Sequence, residues 1–499
     1  MFVWRLQNSV FRRSSALALG GILALAASAG MARAQSADLP SNPSPNRSSL
    51  SNPYYGSVTA APATDGVLKL SLDDAVNRGF ATNLGLKENE ASELQFKGQV
   101  TEAVQYFLPS ITVTGGTGYN EYNLAAFGFT NGFLSKVAAS GVFPPTAFNG
   151  LSFITKADVT TGQINYEQTL FSGTYIDGYK ATRAAEKSAY FTKMRARGEV
   201  VQQVATAYLA VIAAQSEVAN AKALMDADKV VFDQAHAKHE AGTVANLDEL
   251  RPRVQYQQQQ QTVLADENAL EKDEILLKRE IGIAPGQKIE LTDPNPYSEL
   301  ALQTPEELKA LAYISRQDYQ SLQAQEREAQ MILGARRAER LPTLSFKGNY
   351  GVTGVSGVGY HGTLSAIGTL KLPIFREASL RGDAEVAKAQ LLGVSQQLGD
   401  LRGHIDQQVR SSLLDVQAAQ QLVEVARSNV ELARQALSDE TDRCHAGVDD
   451  TLPLVQAQST LQSAQSNLVQ SLYQYNVAKI GLARSAGVLE LQYKTYLGK

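Results

Sequence analysis

The stretch LPTLSFKGNYGVTG, Leu341 to Gly354, decides the fold of this chain. It alternates. Leu344, Phe346, Gly348, Tyr350 and Val352 project to one side, and Thr343, Ser345, Lys347, Asn349 and Gly351 to the other, which is the period of a β-strand with one apolar and one polar face. A near copy, LPSITVTGGTGYN, stands at Leu108 to Asn120. Both lie between long helical patterns rich in Ala, Gln and Leu, which run too far away to cover the apolar face, so lipid is expected to cover it.

Working outward, each of these strands is followed by a second. One ends at YEQTLF, Tyr166 to Phe171, and the other at LKLPIF, Leu370 to Phe375. In the last strand Leu364, Ala366, Gly368, Leu370 and Leu372 share one face, and Thr363, Ser365, Thr369 and Lys371 the other. Four such strands match the length of membrane-barrel strands but are too few to close, because a small barrel needs about eight. An open edge in hydrocarbon leaves backbone groups unsatisfied. Several chains must therefore share one barrel, with Glu167, Lys347, Asn349 and Lys371 as candidates to face its lumen.

The strands belong to a duplication. Leu72 to Phe107 reads as helix before the first strand and Pro305 to Arg340 before the third; very long helical segments follow, from about Gly173 to Glu240 and on to about His445. VATAYLAVIAAQ (Val204 to Gln215) precedes VRSSLLDVQAAQ (Val409 to Gln420) by 205 positions, and Ala241-Gly242 precedes Ala446-Gly447 by the same 205. A constant offset over helical sequence indicates two copies of one structural unit. Each long segment, at ~1.5 Å per residue, spans on the order of 100 Å. Val204, Tyr208, Val211 and Val218 recur at intervals of three, four and seven, the spacing of coiled-coil packing. The predicted organisation is a signal peptide over 1–34, a disordered tether over 35–70, a first repeat over 71–283, a linker over 284–303, a second repeat over 304–488 and a C-terminal tail over 489–499.

The signal reading rests on Arg5, Arg12 and Arg13, the apolar run Ala16 to Gly30, and the small-residue site Ala32-Arg33-Ala34. Of 46 Lys+Arg, four fall in that segment, leaving 42 against 50 Asp+Glu and a net charge of −8. That balance gives no support to nucleic-acid binding. The one cysteine, Cys444, permits no intramolecular disulfide and lies far from the cleavage site, so no lipid anchors the new N-terminus through a cysteine. No serine-histidine-aspartate order or phosphate-binding glycine loop is present, so nothing points to an enzyme or a cofactor. His236 and His239 share a helix face but lack a zinc-protease spacing, and read as solvated helix surface. Asn246 reads as the cap of the helix after the first tip, with Glu249 at its third position, and Pro252 is expected to kink that helix or delay its start.

In its order of features the chain resembles the outer-membrane efflux proteins typified by TolC, over roughly Ser71 to Val488. The carriers are the opening SLDDAV (Ser71 to Val76), the two Leu-Pro strand entries, the endings TLF and PIF, and the paired Ala-Gly turns. The resemblance implies a mainly α fold with four transmembrane strands per chain. It implies a homotrimer with one twelve-stranded barrel in outer-membrane lipid, continued by a periplasmic helical barrel. It also implies a duct for a tripartite pump or type I secretion system. The tips, at Ala241, Gly242, Ala446 and Gly447, would then meet a periplasmic adaptor, with an inner-membrane transporter beyond. The aspartates that ring the closed aperture in well-known members fall at Pro453 and Gln456 here. Aperture candidates in this chain are Asp248, Glu249, Asp449 and Asp450, the last two either focusing negative charge at the entrance or simply starting a helix. The Phe-rich stretch Ala125 to Lys156, without a counterpart of similar length in the second repeat, reads as a long cell-surface loop over the mouth or as an insertion. A different class of reading is an envelope spacer or adhesin built on the coiled coils.

Overall fold

A computed structural model of the chain describes residues 52–58, 60, 62–128, 130–141, 154–293, 298–446 and 451–498. The elements are β1 (Leu68–Leu70), α1 (Leu72–Thr82), α2 (Leu84–Val104), β2 (Ser110–Asn123), α3 (Asn131–Ala139), β3 (Ile154–Phe171), α4 (Gly173–Glu240) and α5 (Asn246–Glu280). After β4 (Ile289–Leu291) come α6 (Pro305–Ser315), α7 (Gln317–Ala338), β5 (Thr343–Val355), β6 (Gly359–Lys371), α8 (Glu377–His445), α9 (Thr451–Ser485) and α10 (Leu489–Leu497). The signal segment lies outside the described residues.

The duplication is carried into the structure. α5 and α9 are both 35 residues long, and Asn246 to Thr451 and Glu280 to Ser485 are each 205 positions. Burial follows the same offset: Val204 and Val409, Val211 and Val416, Val218 and Val423 are all buried. Each repeat opens on a capping box that satisfies free helix-start amides. Ser71 and Asp74 form it in the first repeat, Thr304 and Glu307 in the second, with Pro305 at the first helical position.

The entry helices read as unbroken over 72–107 and 305–340 are each two. Asn83 (φ −61°, ψ 128°) and Arg316 (φ −69°, ψ 122°) sit extended between the pieces. Asn83 stops one helix and caps the next, its side chain accepting from the Leu86 amide. Arg316 is held by a two-pronged bond to Asp318. The expected disorder of 35–70 is corrected over its described part: Tyr54 packs its ring against Gly85, Asn83 donates to the Tyr54 carbonyl at 2.7 Å, and β1 pairs in parallel with β4. Within the 489–499 tail, α10 sinks Tyr493, Tyr496 and Leu497 into the core.

That core lies at mid-length of the long helices, where α1, α10 and the β1–β4 pair pack around Val200 to Ile212 of α4, Leu398 to Val423 of α8 and Tyr475 to Ala483 of α9. Asp293, after β4, joins three elements there. It accepts from the Leu72 amide at 2.7 Å and from the Tyr208 hydroxyl at 3.0 Å, and the same hydroxyl lies 3.0 Å from the Leu70 carbonyl. Toward the strands, α4 meets α7 through small residues. Ala184, Ala185, Ser188 and Ala189 face Ser321 and Ala324, and the Ser188 and Ser321 hydroxyls bond at 3.0 Å. Glu93 ties α2 to α4 through Lys193 at 2.7 Å, with Lys97 of its own helix at 2.7 Å.

The strands form one antiparallel sheet in the order β2-β3-β5-β6. Glu167 stands opposite Lys347, Asn165 opposite Asn349, and Thr343 opposite Lys371. Among the described residues its register shifts at a bulge between Thr169 and Phe171.

Candidate duct wall and helical tips

The register sorts the sheet into two faces. Because side chains alternate and paired residues share a face, Glu167, Lys347, Asn349 and Lys371 fall together with Thr112, Thr114, Gln163, Asn165 and Thr369. Lys347 and Glu167 pair at 2.6 Å, and Asn165 donates to Thr114 at 2.9 Å. The other face carries Ile111, Val113, Ile164, Leu344, Phe346, Tyr350, Val352, Leu364 and Leu370. Most of these are exposed on the single chain, Val113 by 78% and Leu364 by 76%. No described helix is long and apolar enough to cross a membrane. The sheet is therefore the described element with a continuous apolar face, and among the described residues β2 and β6 each lack a partner on their outer edge.

At the other end of the long helices lies the first tip. α4 ends in a left-handed turn: Gly242 (φ 70°) donates to the His239 carbonyl at 2.8 Å and Thr243 to the Lys238 carbonyl at 3.0 Å. That double bond pattern closes the orphaned carbonyls of a helix end and favours glycine, which has no Cβ to clash. Ala446 repeats the role of Ala241, its amide donating to Asp442 as that of Ala241 does to Ala237. Gly447, Asp449 and Asp450 lie outside the described residues. α5 begins one residue earlier than read from the sequence: Ala245 is its cap, without a side-chain bond, and Asn246 is already helical. The helix starts ahead of Pro252 rather than being delayed by it and runs through it; Pro252 is its seventh residue, where it leaves the Asp248 carbonyl without its usual amide partner.

The two acidic candidates of this tip part company. Asp248 is partly exposed, 3.9 Å from Arg251. Glu249 turns back across the turn onto α4, 2.8 Å from Nδ1 of His236 and 3.6 Å from Nε2 of His239. Its residue is 9% exposed, so it does not present a charge to an opening. The histidines read as solvated surface thus hold a carboxylate, a relation invisible to helical spacing because the partner arrives from the next helix. No group of three or more His, Cys, Asp and Glu among the described residues is arranged to hold a metal ion. Cys444 is a free, half-buried thiol.

Two further features carried no sequence signal. Asp228 is buried on the stripe of α4 that also carries Ala221, Leu224 and Ala235, and its carboxylate oxygens make no hydrogen bond of normal geometry. Burial pushes it up to about 6, against a weak opposing pull from the Gln255 amide. A cavity of about 470 Å³ opens between α4, α7, α8, α9 and α10. Of its charged groups, Arg316 pairs with Asp318 at 2.6 Å, Arg484 makes a close contact with Glu199, and Glu490 pairs with Arg197 at 2.7 Å.

The outer membrane efflux protein family model matches residues 75–282 and 309–488. Outer membrane protein TolC of Escherichia coli is 24% identical over 67% of this chain and 71% of its own length. Nodulation protein T of Rhizobium leguminosarum is 21% identical over 64% and 69%. The CmeC outer membrane channel of Campylobacter jejuni superposes with a TM-score of 0.68 at 15% identity, covering 91% of this chain and 94% of that one. With both repeats, the sheet and the long helical arms accounted for by one family, the chain belongs to the outer membrane efflux proteins and is an outer-membrane channel of that family.

Proposed function

We propose that this chain is the exit duct of a tripartite efflux pump or type I secretion system, with three copies closing one twelve-stranded barrel. The observation that carries the reading is the four-stranded sheet with one apolar face, one polar face and two bare edges. In hydrocarbon those edges must pair, and β6 of one copy against β2 of the next satisfies both. The face bearing Glu167, Lys347, Asn349 and Lys371 then lines the lumen, and the leucine and valine face meets lipid. The helices continue the passage toward the cell interior, where the Ala241-Gly242 and Ala446-Gly447 turns meet an adaptor and an inner-membrane transporter supplies the energy. Asp248 remains a charge at that entrance, and Asp449 and Asp450 would supply it from the second tip.

A strain lacking the protein tests this. Loss of tolerance to dyes, bile salts or antibiotics, or loss of secretion of an exported protein, restored by the native gene, is the expected result. Unchanged susceptibility and unchanged secretion would favour an envelope spacer instead.

A further inference from the structure

The first tip is closed by more than its turn. His236 lies in the last turns of α4 and Glu249 in the first turn of α5. A cation near a helix C-terminus and an anion near an N-terminus are each favoured by the helix dipole. Here the two ends are side by side, and the pair bridges them at 2.8 Å. His239 adds a second tie, its Nδ1 3.2 Å from the Val244 carbonyl and its Nε2 3.6 Å from the far oxygen of Glu249. Phe232 stacks on the His236 ring, with centroids 5.9 Å apart.

We infer that His236 and Glu249, with His239 beside them, form a proton-dependent clasp that holds the 241–245 turn shut in acid and releases it as the medium becomes neutral to alkaline. That this turn is where a partner docks rests on the duct reading above; the clasp itself does not. The charged groups facing His236 are Glu240 of its own helix at 3.5 Å, Glu249 of α5 at 2.8 Å and, opposing them, Arg253 of α5. The Glu249 hydrogen bond is the largest influence and raises the imidazole above its ordinary 6.5. A histidine raised in the folded state holds its full stabilisation below 6.5 and loses it as the pH climbs through the raised value. In a channel whose helical end faces a compartment open to external acidity, such a clasp sets how firmly the tip is shaped when a partner arrives.

The test is hydrogen exchange read by mass spectrometry on the full-length protein in detergent, without any partner, over residues 238–250 from pH 5.5 to 8.5. Rates are corrected for the intrinsic pH dependence of exchange. Protection in the native protein should fall at least severalfold across that range. It should be nearly flat in His236→Gln and in Glu249→Gln, while core peptides around Val204 stay unchanged in all three. A native tip with pH-independent protection, or an undiminished pH response in either variant, overturns the clasp. Neither result bears on the duct, whose own test is the deletion strain.

Discussion

Replacing Asp228 with asparagine keeps the shape of the side chain and removes its charge, so it isolates the cost of ionising a carboxylate inside the α4–α5 arm. The residue is 1% exposed, and only the Gln255 amide stands beside its carboxylate, without normal hydrogen-bond geometry. Its carboxyl is raised from 3.8 to about 6, a difference of about 2 units, or roughly 3 kcal/mol at 1.36 kcal/mol per unit. A carboxyl raised in the folded state binds its proton more tightly than in the open state, so stability falls between 3.8 and about 6 and the whole cost is present above that range. The buried amide of the variant carries a smaller cost of its own, so a net gain of about 1–3 kcal/mol is expected at pH 8. Slow proteolysis of the arm, with cleavage slower than reclosing, reads this as a rate ratio because it follows the population of the open form. Asp228→Asn should be cut roughly 5 to 150 times more slowly than the native arm at pH 8, and the advantage should shrink steadily toward pH 4. Comparing the two proteins at the same pH cancels the protease's own pH dependence. An unchanged rate at pH 8, or the same ratio at pH 8 and pH 4, would refute the assignment of a buried, uncompensated charge.

Two single variants and one double variant probe other parts of the chain. Tyr208→Phe removes the hydroxyl shared by Asp293 and the Leu70 carbonyl, which keep the Leu72 and Thr292 amides as donors. It should loosen the β1–β4 pair by about 0.5–1.5 kcal/mol, the net worth of one hydrogen bond, read as faster amide exchange at Leu68 to Leu70. Gly242→Val places a β-branched residue at φ 70° and should cost the first tip at least about 1–2 kcal/mol, seen as faster proteolysis confined to 238–250. Lys347→Glu with Lys371→Glu reverses two charges on the polar face of the sheet. In a planar bilayer the ion preference should move toward cations, and an unchanged preference would place that face away from the conduction path.

How much of this was legible beforehand depends on the range of the interactions involved. Period-two alternation in Leu341 to Gly354 and the 205-position offset are local or repetitive signals; they located the ends of both long arms closely and the strands less so, β2 running three residues past Asn120 and β6 starting at Gly359 and stopping at Lys371, short of Phe375. The shared face of Glu167, Lys347, Asn349 and Lys371 followed because alternation fixes which residues can be neighbours once the strands pair. The breaks at Asn83 and Arg316 escaped because neither carries proline or glycine; one is set by a side-chain cap and the other by the Asp318 ion pair. β1 and β4 are three residues each and exist only because they find one another across more than 200 positions. The Glu249 clasp escaped for the same reason: a helix face shows which residues align on it, not which residue the next helix brings against it. Asp228 looked like any surface aspartate until the arm packed around it.

The central claim is that the sheet edges are satisfied by other copies of the chain inside a membrane. The most direct measurement is the detergent-corrected mass of the mature protein extracted from outer membranes, by light scattering or native mass spectrometry. A mass of three chains is predicted, pairing β6 with β2 three times over and closing twelve strands. A monomer retained in the membrane, with both strand edges open to lipid, would contradict the account at its base.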